Sequence, residues 1–150
     1  MALRIESLLR GPVKQLTDRL EELARKIEPA GSCDDDGIYA EVEAAITSCL
    51  EACSQFETEA GDDTQLLRSA QEQFRSAIQP WFDQSAFMRH ALAKPRGYAG
   101  DYQMLTRVYD RQPKSLGLGG YLDRYFLQTE LGRSVPLRLE MARQFLIDEA

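Results

Sequence analysis

Residues 42–56, VEAAITSCLEACSQF, carry the clearest helical pattern in the sequence. Apolar side chains recur there every three or four positions, which places them along one side of an α-helix. They are Val42, Ala45, Ile46, Cys49, Leu50, Cys53 and Phe56. A stripe of this kind is more often buried core than binding surface, so we interpret it as the inward face of a bundle helix.

Two neighbouring stretches repeat this spacing. The first contains Val13, Leu16, Leu20, Leu23 and Ile27, and the second contains Leu66, Leu67, Ala70, Phe74, Ala77, Ile78 and Trp81. Turn-forming residues at 28–32 (EPAGS) and 61–63 (GDD) separate the three stretches. Three helices joined by short loops predict an antiparallel bundle, and no stretch reads as a strand, so the predicted fold class is all-α. Gly11 and Pro12 are expected to break the chain before the first long helix.

Shorter helices are predicted after Pro80. The irregular apolar pattern at 81–93 favours one short helix that leads into a loop. Gly117 to Gly120 are expected to let the chain turn tightly. Gly132 is expected to end the helix that follows, and Ser134 to cap the last one.

Length and composition favour one domain. The chain has 150 residues, of which 43% are hydrophobic and 28% charged, as in ordinary globular proteins. We divide the predicted domain into bundle helices at 1–80 and a second helical part at 81–150. No apolar run is long enough to span a membrane. Arg4 and Glu6 interrupt the apolar N-terminus, which argues against a secretory signal and favours the cytoplasm.

Cys33, Cys49 and Cys53 are the three cysteines. An odd number does not suggest a disulfide framework. A metal site would have to recruit His90 as a fourth ligand, but no close Cys-x-x-Cys pair supports one. We therefore predict reduced, buried thiols and no metal.

Charge is distributed unevenly along the sequence. Residues 31–67 contain ten acidic side chains and no Lys or Arg, whereas residues 89–143 contain ten basic and five acidic ones, a difference of +5. An anionic ligand would be attracted to the second interval. Alternatively, the two intervals simply complement each other in the folded chain. The net charge of -6 argues against nucleic-acid binding.

Residues 94–102, KPRGYAGDY, depart from the helical pattern. Pro95 disfavours a helical conformation at Lys94, and Gly97 and Gly100 permit backbone angles that other residues avoid. Asp101 is then placed to cap a new helix that begins at Tyr102.

This stretch also carries a family resemblance. Residues 94–105, KPRGYAGDYQML, followed by Val108 and Tyr109, resemble a motif of bacterial class I S-adenosylmethionine-dependent methyltransferases. The group in question makes 3-hydroxypalmitic acid methyl ester. The likeness continues through residues 115–116, 121–127 and 135–146, and so covers the last third to half of the chain.

The resemblance implies a helical region that precedes a catalytic domain. On this view the chain is an accessory domain that acts as lid and substrate wall, and a C-terminal methyltransferase domain is its partner. S-adenosylmethionine is implied for the complete enzyme but not for this chain. The cluster Gly117–Gly120 has no apolar strand before it, as a nucleotide-binding loop requires.

The motif also supplies the predicted substrate-binding residues, which are Lys94, Arg96, Gly97, Tyr98, Gly100, Asp101 and Tyr102. The guanidinium of Arg96 suits a carboxylate or phosphate, and the two tyrosine rings suit the wall of a pocket for a small anionic or acyl substrate. No residue is assigned a catalytic role. Alternatively, Arg96 and Asp101 pair with each other, the tyrosines pack under the loop, and the motif only shapes a corner.

His90, the only histidine, is interpreted as a solvated or core-edge residue, because the sequence shows no partner for a catalytic role. Two other functions stay open for the chain. It could be a free-standing interaction module that forms a homodimer through an aromatic stripe at 121–126. It could also be a sensor that binds an acyl ligand without turnover.

Overall fold

The computed structural model describes residues 2–148, with side chains from residue 4 to residue 147. It is 78% helical and has no strand in this part of the chain, which confirms the all-α class and the bundle arrangement. The α-helices are α1 (Ala2–Leu8), α2 (Lys14–Lys26), α3 (Asp36–Ala60), α4 (Thr64–Phe82), α5 (Ala86–Ala93), α6 (Tyr102–Tyr109), α7 (Gly117–Gln128) and α8 (Glu130–Asp148).

The predicted break at Gly11 and Pro12 is wrong. A π-helical turn, Leu9–Val13, contains both residues and joins α1 directly to α2. Pro12 has no amide hydrogen to donate, and the wider π turn accommodates an irregular hydrogen-bond ladder. Val13 is buried in the core, so packing holds the helix together through the turn.

The main core lies between α2, α3 and α7. Its most buried members are Val13, Leu20, Leu23, Val42, Tyr121 and Leu122. The aromatic stripe at 121–126 therefore starts inside the core: Tyr121 and Leu122 are buried and unavailable for the predicted dimer contact, whereas Tyr125 and Phe126 are half-buried. Because α7 comes from the second half of the sequence and α2 and α3 from the first, both halves share one core.

The glycines at the start of α7 allow both a turn and close packing, and Gly117 has a φ of 55°, in the left-handed region that favours glycine. The amide of Gly117 donates to the carbonyl of Gly31 over 3.0 Å. A Cβ atom on Gly119 would lie 2.2 Å from the carbonyl oxygen of Gln84, and one on Gly120 would lie 2.7 Å from that of Ser115. Only glycine lets the first turn of α7 approach these backbones.

The predicted boundary between the last two helices is also wrong. α7 ends at Gln128, α8 begins at Glu130, and Ser134 lies within α8. Gly132 does not end a helix. A Cβ atom there would lie 2.5 Å from the carbonyl oxygen of Phe126, so glycine is needed where α8 folds back over the end of α7.

A smaller apolar cluster holds the second half together. Phe87, Met104 and Val108 are its buried members, and Phe126 and Val135 pack against it. The rings of Phe87 and Phe126 stack with their centroids 5.2 Å apart. This cluster connects α5, α6, α7 and α8, and it fixes the two helices that flank the motif.

Candidate functional site

The motif forms a compact loop between α5 and α6. Lys94 ends α5 in the left-handed conformation with φ 44°, and its amide donates to the carbonyl of His90 over 3.0 Å. Gly97, at φ 87°, donates to the carbonyl of Lys94 over 2.8 Å. A left-handed backbone costs a side-chain-bearing residue about 1 kcal/mol, so Gly97 suits this turn and Lys94 is held there at some cost.

The outer rim of the loop is charged and aromatic. The guanidinium of Arg96 lies 4.5 Å from the centroid of the Tyr102 ring, and its Nη2 donates to the Tyr102 hydroxyl over 3.0 Å. Tyr98 and Tyr102 are each 57% exposed. The alternative in which Arg96 pairs with Asp101 and the tyrosines pack under the loop is therefore wrong.

The seven predicted site residues lie together, but at two depths. Lys94, Arg96, Gly97, Tyr98, Gly100 and Tyr102 are exposed on the loop and the first turn of α6. Asp101 alone is buried, with no exposed surface. A ligand on the loop would meet the first six directly, and Asp101 only through its neighbours.

Asp101 joins the two helices that flank the loop. Its Oδ1 accepts the amide of Met104 over 2.9 Å, which confirms the predicted cap of α6, and it lies 2.8 Å from Nε2 of His90. His90, on the last turn of α5, is itself only 8% exposed. Sequence reasoning missed this pair because the left-handed turn at Lys94 and Gly97 is what brings the two side chains together.

The charge of Asp101 is only partly compensated. Burial by itself raises the pKa of Asp101, but the Met104 amide and the His90 ring together lower it below its usual value. The carboxylate is therefore ionised at neutral pH. Its second oxygen, Oδ2, is the one buried side-chain nitrogen or oxygen without a hydrogen-bond partner between residues 4 and 147. Such an atom in a native fold calls for an explanation, such as an ordered water or a function.

A second buried carboxylate, Asp123 on α7, has a complete set of partners. Its Oδ1 accepts the Ser85 hydroxyl over 2.6 Å, and its Oδ2 accepts the amides of Lys114 and Ser115, each over 2.8 Å. This network ties the start of α5 to the segment before α7. Sequence reasoning missed Asp123, whose partners come from separate segments with no common spacing.

Two of the three thiols are buried as predicted, and the third is not. All three cysteines are free, Cys33 and Cys49 are buried, and Cys53 is half-buried. Burial raises the pKa of Cys49 to about 12 and raises that of Cys33 as well, so these thiols stay protonated at neutral pH. No cluster of three or more metal-ligating side chains occurs in the described residues.

The basic interval is mostly not neutralised by the acidic one. Within the described part of the chain, Arg124 is the one basic side chain of residues 89–143 that forms an ion pair with residues 31–67. Its Nη2 lies 2.5 Å from Oδ1 of Asp36. Lys114 pairs instead with Asp110, inside its own interval. Ion pairs between the acidic and the basic interval therefore neutralise only a small part of their opposite charges.

An apolar groove runs beside α5 towards the motif loop. Its volume is about 370 Å³, and its lining residues are Arg75, Ile78, Gln79, Phe82, Met88, Ala91, Leu92 and Phe126. Leu92 lies two residues before Lys94, so one end of the lining is next to the loop. Arg75 brings a positive charge to walls that are otherwise apolar or neutral.

The second half of α8 exposes a large apolar surface. From residue 137 to residue 147 every side chain is exposed. The large apolar ones are Leu137, Leu139, Met141, Phe145, Leu146 and Ile147, each at least 50% exposed. We call these six residues the α8 surface. So many large apolar side chains exposed on one helix are typical of sites that contact another protein surface.

Comparison with protein-family models, with curated proteins and with solved structures found no match for this chain. Gly117–Gly120 forms the first turn of α7 and is packed against the protein's own backbone. Between residues 2 and 148, no helix is both long and apolar enough to cross a lipid bilayer.

Proposed function

We propose that this chain is the helical accessory domain of an S-adenosylmethionine-dependent methyltransferase and that it binds a small acceptor at the motif loop. The observation that carries the proposal is the exposed rim of Arg96, Tyr98 and Tyr102 above the ionised carboxylate of Asp101. A loop that served only as a corner would gain stability by burying its rings and pairing its charges. Here both rings face outward, and an oxygen of Asp101 lacks a partner.

Arg96 is suited to hold an anionic group of the acceptor. Its guanidinium is already oriented by the ring and hydroxyl of Tyr102, so little side-chain freedom is lost when it binds. The remaining N–H groups are available for two parallel hydrogen bonds to a carboxylate or phosphate. An acyl chain attached to that group would find apolar walls in the groove beside α5.

The α8 surface is suited to a catalytic domain that completes the site. Such a domain would supply the methyl donor and the reacting groups, and this chain would position the acceptor and exclude water. We place the complete enzyme in the bacterial cytoplasm, where the three free thiols stay reduced.

Calorimetry with the 150-residue chain tests the proposal. We expect no heat with S-adenosylmethionine and measurable binding of a 3-hydroxy fatty acid. Arg96→Ala should weaken that binding by about tenfold, the loss expected for hydrogen bonds to a charged group. Arg68→Ala, at an exposed position on α4, is the matched control and should bind as wild type.

Two results would contradict the proposal. Binding of S-adenosylmethionine by the chain alone would mean that the helices themselves build the methyl-donor site. Fatty-acid binding that Arg96→Ala leaves unchanged would mean that the loop rim is not the anion site.

Self-association is a second candidate function, and the α8 surface favours it. Two copies that cover this surface on each other would form an interaction module or a ligand sensor without catalysis. Since Tyr121 and Leu122 are buried, the contact would be made by α8 and not by the aromatic stripe.

A further inference from the structure

A small cleft lies between the segment that follows α6, the end of α7 and the start of α8. Its volume is about 250 Å³, and its lining residues are Arg111, Leu127, Gln128, Gly132, Arg133 and Pro136. Gly132 and Pro136 are buried, whereas the three polar side chains are exposed. The motif loop precedes α6 and Arg111 follows it, so the length of this helix, about 12 Å, separates the cleft from the loop.

Two arginines and no acidic residue line this cleft. Neither Arg111 nor Arg133 forms an ion pair between residues 4 and 147. The acid next to Arg111 in the sequence, Asp110, pairs instead with Lys114 over 2.8 Å. The cleft therefore carries two positive charges that no carboxylate of its own lining offsets.

A neighbouring cleft of about 280 Å³ shares Arg111 and contains the nearest acidic residues. These are Asp34 and Asp36, and Asp36 is already paired with Arg124 over 2.5 Å. Neither acid lines the cleft that holds Arg133. Arg111 thus stands between an acidic and a basic cleft, and its guanidinium bonds to no acid of either.

Both arginines are held by the structure around them. The backbone of Arg111 has φ 51°, in the left-handed region that suits Gly or Asn better than a long side chain. Backbone strain of this kind is concentrated at functional sites. Nη2 of Arg133 donates to Oε1 of Gln128 over 2.8 Å, which orients its guanidinium and leaves its other N–H groups free.

We propose that this cleft binds a phosphate group and that Arg111 and Arg133 are its cationic ligands. Guanidinium groups bind phosphate through pairs of parallel hydrogen bonds, and two of them match the charge of a phosphate dianion. A carboxylate, with one negative charge, would leave the second arginine uncompensated. The phosphate can come as the free ion or as the ester of a small alcohol, for which Leu127 and Pro136 offer apolar contact.

The site goes beyond the proposed function, because it lies outside the motif loop and does not use Arg96. A phosphate bound to both arginines would join the segment after α6 to the first turn of α8. Since it binds the folded chain only, it should also raise the melting temperature.

Titration of the 150-residue chain with inorganic phosphate, at constant ionic strength set with chloride, tests the proposal. Arginine Nε–H resonances in NMR report which side chains respond, and we expect saturable shifts of Arg111 and Arg133. Arg111→Asn, which tolerates the left-handed backbone, and Arg133→Gln should each weaken binding by about tenfold. Arg138→Gln removes the same charge from an exposed position on α8 outside the cleft, and should bind as wild type.

Two further ligands define the chemical class. Acetate at the same ionic strength should bind more weakly than phosphate, and equal binding would contradict a site for a dianion. Glycerol 3-phosphate, a small ester, distinguishes the two sources of the phosphate group. Tighter binding than that of inorganic phosphate assigns the site to organic phosphates, and equal binding assigns it to the free ion.

Phosphate shifts that do not saturate, or that spare Arg111 and Arg133, would overturn the inference. The wild-type shifts locate the site even where a variant is unstable. Arg96→Ala separates this site from the motif loop, because it should keep phosphate binding in the cleft while it weakens fatty-acid binding. If Arg96→Ala abolishes phosphate binding and Arg111→Asn has no effect, the phosphate lies on the loop, and this inference fails without the proposed function.

Discussion

His90 Nε2 lies 2.8 Å from Asp101 Oδ1, and this contact spans the motif loop from its first helix to its second. Residues 94–100 are therefore held at both ends by one buried pair, while their own side chains face outward. The loop combines a rigid base with an exposed rim, as a preorganised binding site requires.

The acid stability of the fold should depend on Asp101. Its pKa is lower in the folded chain than in an unfolded one, so the stability it contributes is fully present above about pH 4 and is lost as the pH falls further. We expect Asp101→Asn to unfold more easily than wild type at pH 7. The difference should shrink between about pH 4 and pH 2, as measured by urea unfolding across that range. A difference that does not vary with pH would show that the charge is unimportant.

Asp123 should matter more for stability than a carboxylate on the surface. Asp123→Ala leaves the buried hydroxyl of Ser85 and two backbone amides without an acceptor. We expect the free energy of unfolding to fall by about 3 kcal/mol or more, since each unsatisfied buried group costs about 1–3 kcal/mol. Asp110→Ala, which removes an exposed ion pair with Lys114, is the control and should cost less than about 1 kcal/mol. Equal effects of the two substitutions on urea unfolding would contradict the stabilising role of Asp123.

Replacing glycine by alanine should destabilise the fold where the backbone is closely packed and have little effect where the space is open. Gly119→Ala would place a Cβ atom 2.2 Å from the carbonyl of Gln84, so we expect a loss of about 3 kcal/mol or failure to fold. At Gly100 a Cβ atom meets nothing within 4 Å, and Gly100→Ala should change stability by less than about 0.5 kcal/mol. The melting temperatures of the two variants, measured by thermal unfolding, test this prediction. Similar melting temperatures would mean that α7 does not approach residue 84 as closely as described.

The α8 surface should be dispensable for folding but not for association. Phe145 is 63% exposed, so Phe145→Asp should leave the free energy of unfolding within about 0.5 kcal/mol of wild type. If copies of the chain associate through α8, light scattering should show a mass that rises with concentration in wild type and not in this variant. Arg143→Asp, on the same helix, is the control for added negative charge. A large loss of stability in Phe145→Asp would mean that α8 packs on the protein body.

Much of the fold could be predicted from local pattern. Most of the stripe at 42–56 forms the inner face of α3, with Val42, Ile46 and Cys49 buried, because 3.6-residue periodicity is a property of the sequence itself; Leu50 of the stripe is instead 47% exposed. Asp101 caps the helix that it was predicted to cap, since a cap depends on residues within one turn. By contrast, Pro12 and Gly132 were misread as boundaries, because tertiary packing decided whether the helix continued or folded back at those points.

The seven motif residues were predicted as a site from the sequence, but their division into an exposed rim and a buried base was not predicted. The sequence by itself determined the helical class, the stripes and the position of the loop, because these depend on spacing and on the backbone preferences of glycine and proline. Only the tertiary structure decided that Asp101 would bond to His90 rather than to Arg96. The left-handed turn at Lys94 and Gly97 folds the chain so that residues 90 and 101 meet, and no local pattern encodes that distance.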